Sequence, residues 1–189
     1  MHYILYHLEL VWAFVRGKDE ALYHIDATPR GLKLSFLAIL IVEPLGLFYA
    51  ALFGHLDRVL LFREGGFSYY ILQLFLDWGL APLLFFAFCT AFGFRDRLIP
   101  LIVSYNWLSV IVLMITLLPG ALMTSNMVGV GMALMLMVAV YGFAIWVSYR
   151  LYRFVLECPP TMALGLSILL LILSIASAVI LSDITETLT

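Results

Sequence analysis

Hydrophobic positions along this chain gather into five long runs separated by short polar segments. The runs cover about Ser35–Phe53, Ser68–Phe92, Leu98–Leu118, Met127–Tyr149 and Met162–Leu181. A helix needs about 20 apolar residues to cross a hydrocarbon core of about 30 Å. Inside lipid every backbone polar group must find an internal partner, which a helix provides. The pattern therefore predicts an all-α, polytopic membrane protein with five transmembrane helices.

The first sixteen residues follow a different rule. Ile4, Leu5, Leu8, Val11, Trp12 and Val15 share one broad helical face, and His7, Glu9 and Arg16 fall away from it. The stretch is too short and too interrupted to span. It predicts an N-terminal amphipathic interfacial helix, with Leu5, Leu8, Trp12 and Val15 as the surface offered to lipid or to a partner. Thr28-Pro29 supplies a helix-opening pair just before the first span. The expected organisation is a cytoplasmic and interfacial segment at 1–34, a five-helix domain at 35–182 and a short external tail at 183–189.

Loop charges orient the bundle. Arg16, Lys18, Arg30 and Lys33 precede the first span, Arg95 and Arg97 separate the second from the third, and Arg150 and Arg153 separate the fourth from the fifth. Arg58 and Arg63 are the remaining basic residues, balanced by Asp57 and Glu64. An excess of Lys and Arg marks cytoplasmic loops, so the N-terminus is expected inside and the C-terminus outside. Composition agrees: 65% of residues are hydrophobic and 12% charged, where soluble domains run near half and a quarter. The net charge of -2 argues against nucleic acid as a partner. Cys89 and Cys158, one in a span and one at its edge, read as free thiols rather than a disulfide framework.

Polar residues inside the spans are the candidates for function, because a charge at the bilayer centre costs about 2.5–3.5 kcal/mol. Glu43 precedes Pro44 in the first span and shares a face with the small residues Gly46 and Ala50. Asp77 follows Gln73 by one turn in the second span. Asn106, Ser109 and Thr116 form a stripe along the third. Glu43, Gln73, Asp77 and Asn106 are the candidate intramembrane site, either as proton or substrate ligands or as hydrogen-bonding anchors between helices. The methionines of the fourth span (Met127, Met132, Met135, Met137) read as adaptable packing. Gly129, Gly131 and Ala133 there, and Gly165, Ser167, Ser174 and Ala178 in the fifth, permit close helix approach.

Several chemistries have no support in the sequence. His2, His7, His24 and His55 all lie outside the runs, which argues against haem held between spans. No span carries a lysine for a Schiff base. No phosphate loop, HExxH or GxSxG occurs. His55 with Asp57 is a weak metal suggestion. No catalytic residue, cofactor or metal is therefore expected.

The stretch HIDATPRGLKLSFLAILIVEPL, leading into the first span, resembles the opening of small Yip1-like proteins of bacterial inner membranes, and the five-span layout is similar to theirs. The Asp-Leu-Tyr-Gly-Pro signature of the eukaryotic members is absent. The resemblance implies a non-enzymatic membrane protein acting through contacts with proteins or lipids, and it assigns no functional residue. The expected role is an accessory or scaffold protein that binds or stabilises another membrane assembly, with lipids and either a membrane protein or a second copy of the chain as partners. The alternative is a small proton-coupled carrier built on Glu43 and Asp77, with a lipid-modifying enzyme third.

Overall fold

The computed structural model describes residues 2–52, 66–125 and 127–187, and among them every regular element is helical. Helix α1 (His2–Val15) leads into a 3-10 helix at Asp19–His24. Then follow α2 (Pro29–Ser35), a 3-10 turn at Phe36–Ala38 and α3 (Ile39–Leu52). The rest are α4 (Phe67–Phe92), α5 (Leu98–Thr124), α6 (Val130–Leu156) and α7 (Pro160–Thr187). Five segments are long and apolar enough to cross a membrane: Pro29–Tyr49, Tyr70–Phe92, Arg95–Thr124, Val130–Leu156 and Pro160–Ser177.

The helices outrun the apolar runs at several ends. Hydropathy marks the lipid slab, whereas hydrogen bonding carries a helix on into the interface. Arg150 and Arg153 accordingly lie in the last two turns of α6 instead of a loop. Residues 183–187 are helical and continue α7. The first span opens at Pro29, where Thr28 caps α2 by accepting from the Gly31 N–H. His55 and Asp57, with Arg58, Arg63 and Glu64, lie outside the described residues.

Helix α5 is the hub. Half of its most apolar window is buried, against 11–22% in the other four spans. It meets α1, α2, α3, α4 and α6. The core gathers toward the end of the bundle that carries Arg97, Arg150 and Arg153, around Phe14, Phe85, Leu101, Trp107, Leu151 and Tyr152. Phe85 stands edge-on to both Tyr105 and Tyr152, an arrangement favoured by the ring quadrupoles. Large apolar side chains elsewhere, such as Leu40, Phe75, Met135 and Ile172, point outward as lipid-facing helices require. Met127 and Met132 are exposed as well, so these methionines coat the bundle instead of filling it.

The N-terminal helix corrects the expected amphipathic face. His7, Val11, Phe14 and Val15 are its buried residues, while Leu5 and Trp12 are 51% and 42% exposed. At about 100° per residue the packed face is turned roughly a quarter-turn from the one read from hydrophobicity. His7 belongs to this face because its ring stacks on Trp107 of α5 while its nitrogens are satisfied by Tyr3 and Asp26, beside the fully buried Val11 and Phe14. Val15 is thus part of the core. Leu5 and Trp12 remain available to lipid or a partner, with Leu8 between.

Candidate functional site

Helices α3 and α4 meet through one acid. Glu43 Oε1 accepts from the Trp78 indole N–H at 2.9 Å, and Oε2 faces the Tyr70 hydroxyl at 3.2 Å. Pro44 follows directly, and its ring removes a backbone donor from the middle of α3. Indole N–H can only donate, so Oε1 is fixed as an acceptor. A phenol can donate or accept, so Oε2 keeps its bond whether or not it carries the proton. The site is chemically able to hold Glu43 in either state.

Asp77 occupies a different place. It is exposed on α4, beside Gln73 one turn earlier, and lines a small cleft of about 70 Å³ with Tyr105, Leu170, Ser174 and Ser177. It directly precedes Trp78, whose indole binds Glu43. Both carboxyls lie about 20 Å from the basic ends of their spans, at 1.5 Å per residue. Among the described residues neither has a salt bridge.

Asn106 is separate again. Its Nδ2 donates to Ser35 Oγ at 2.9 Å, and Ser35 Oγ donates in turn to the Leu32 carbonyl, so this fully buried pair ties α2 to α5. Ser109 and Thr116 bond to carbonyls of their own helix and form no path. The four candidates therefore do not converge. Glu43 and Asp77 share one region of α3 and α4, and Asn106 belongs to a helix joint nearer the basic end.

A second polar centre holds the N-terminal segment. His7 is 1% exposed, stacked on Trp107 with ring centroids 5.8 Å apart. Its Nδ1 lies 2.8 Å from the Tyr3 carbonyl, and its Nε2 accepts the Asp26 backbone N–H at 3.3 Å. A carbonyl demands a donor and an N–H demands an acceptor, so the neutral Nδ1–H tautomer satisfies both. Asp26 in turn receives the Tyr3 hydroxyl at 3.3 Å and the Thr28 hydroxyl at 2.6 Å. The Thr28 hydrogen bond holds the Asp26 carboxyl below its ordinary range. Burial, with the neighbouring Asp26 charge, pushes the Tyr3 phenol up to about 12. Gly31 comes so close to Asp26 that an added Cβ would stand 2.0 Å from its carbonyl oxygen.

Arg150 is a third tie. Its Nη2 donates to the Phe14 carbonyl at 3.2 Å and to Asp19. Its guanidinium lies 4.7 Å from the centroids of both Phe14 and Trp146. A cation at the last carbonyls of α1 is favourable both as a cap and toward the helix dipole.

The sequence assigns no role to Tyr70 or Trp78, places His7 only off the apolar face of α1 and reads Arg150 only as a loop charge. Tyr70 and Trp78 carried a signal, being polar-tipped aromatics on one face within a span. Cys89 and Cys158 are free and buried. Among the described residues no three metal-binding side chains come together. The chain matches no family model, no curated protein and no solved structure.

Proposed function

We propose that this chain is a non-enzymatic integral membrane protein that binds or stabilises another membrane protein assembly. We place it in a bacterial inner membrane with its N-terminus cytoplasmic and its C-terminus periplasmic, and retain the Yip1-like resemblance as its expected kinship. One observation carries the reading. Two of its central polar side chains join its own helices, Glu43 to Tyr70 and Trp78, and Asn106 to Ser35. A scaffold needs such a fixed frame with apolar surface left over. Leu5 and Trp12 supply that surface outside the spans, on a helix locked to the bundle.

The test is copurification in a gentle detergent. Deleting residues 2–16 would strip Phe14 and Val11 from the core, so point changes at the exposed rim are better. A Leu5→Ser, Trp12→Ser double variant should fold as the wild type does yet retain about tenfold less partner, as for truncation of an apolar anchor. Equal retention by the double variant, or a wild type that brings no protein with it, overturns the docking role. Orientation is tested separately: a reporter fused after Thr189 should be active only in the periplasm, and cytoplasmic activity would overturn it.

A proton-coupled carrier is the second reading. It is favoured by the place of Asp77 beside Trp78, which binds Glu43, and by the cleft that Asp77 lines. The two readings part at Glu43, where a scaffold needs a hydrogen bond and a carrier needs an exchangeable proton.

A further inference from the structure

A cleft of about 490 Å³ opens at the basic end of the bundle, between the 3-10 helix Asp19–His24 and the last turns of α6. That size lies within the range of about 300–1,000 Å³ usual for small-molecule sites. Asp19, Tyr23, Arg150, Arg153, Phe154 and Glu157 line it, with Tyr149. Its two acids are already engaged. Asp19 is held by Arg150, and Glu157 by Arg97 at 2.9 Å. One of its bases is not used up. Arg153 is exposed and makes no salt bridge among the described residues, whereas Arg150 is held by Asp19 and the Phe14 carbonyl. The cleft thus carries one unpaired guanidinium, that of Arg153, beside two tyrosines.

Its level in the membrane narrows the ligand. Trp146 and Tyr149 lie on the same stretch of α6, and Tyr23 is 72% exposed with its ring packed against Phe154. Tyrosine and tryptophan concentrate where headgroups meet water. Arginine forks suit phosphate oxygens, and charge-assisted hydrogen bonds to phosphate are roughly twice as strong as neutral ones.

We propose that this cleft seats a phosphate group, that of a phospholipid headgroup, with Arg153 as the principal ligand and Tyr23 and Tyr149 as hydroxyl donors. The site is independent of any protein partner of the scaffold.

Full-length protein purified in mild detergent is incubated with mixed micelles of phosphatidylethanolamine and phosphatidylglycerol, and retained lipid is counted by native mass spectrometry. A parallel arm replaces lipid by inorganic phosphate and reads thermal stabilisation. Arg153→Gln removes the proposed ligand from an exposed position. Arg95→Gln, exposed at the same end but outside the cleft, removes the same charge as a control. The expected result is lipid retained by wild type and by Arg95→Gln and lost about tenfold in Arg153→Gln. Stabilisation by inorganic phosphate alone, lost in Arg153→Gln, would keep the phosphate seat but overturn the lipid as its source. Equal loss in both variants would mean diffuse attraction to charge, and equal retention in all three would mean lipid held elsewhere. Either overturns the site.

Discussion

Replacing Gly31 by alanine is expected to detach the N-terminal helix from the bundle. The added Cβ would lie 2.0 Å from the Asp26 carbonyl oxygen and 2.6 Å from its Cγ. The oxygen is backbone and the carboxyl is held by the Tyr3 and Thr28 hydroxyls, so the turn at Asp26–Pro29 must move. That turn positions the Asp26 N–H on His7 and the Thr28 hydroxyl on the start of α2. Overpacking costs about 1–3 kcal/mol and loss of a cap about 1 kcal/mol more. The variant should melt several degrees lower in detergent. Trypsin should cut it faster at Arg16 and Lys18, while fragments from α4 to α7 stay protected. Gly31→Ala that melts and resists trypsin like the wild type would refute the rigid joint. Melting of the whole bundle without early cleavage would show that α1 is not a separable unit.

The five-span architecture was legible because lipid imposes it: a run such as Met162–Leu181 can be satisfied by little else than a helix. Finer features were legible where chemistry is local. Thr28-Pro29 opens a helix because its cap and its fixed φ act within one turn. What stayed hidden depends on distant partners. His7 looks polar in sequence and falls on the wet side of the hydrophobic pattern of α1, yet Asp26 and Trp107 make it the most buried polar group of that helix. Arg150 looks like a loop charge, and becomes a clamp only because Asp19 and Phe14 arrive beside it. Glu43 was legible as a residue needing a partner. Which partner could not be read, because Tyr70 and Trp78 resemble the aromatics that line any membrane edge.

Glu43 carries the experiment that separates the two functional readings. Glu43→Ala leaves the Trp78 N–H and the Tyr70 hydroxyl without their acceptor, at a cost of about 1–3 kcal/mol for a buried group. Glu43→Gln keeps the frame: its carbonyl accepts from Trp78, and its amide donates to the phenol oxygen of Tyr70. A scaffold predicts that Gln melts like the wild type and keeps its partner, while Ala loses several degrees and binding with them. A carrier predicts that Gln melts normally but no longer moves protons across reconstituted vesicles, since an amide cannot exchange one. A Gln variant as unstable as Ala would sink the hydrogen-bonded bridge itself. The cycle with Trp78→Phe gives an independent check. Glu43→Ala and Trp78→Phe break the same bond, so the double variant should cost less than the two single changes added together. Additive losses would mean that the two side chains stabilise the bundle separately.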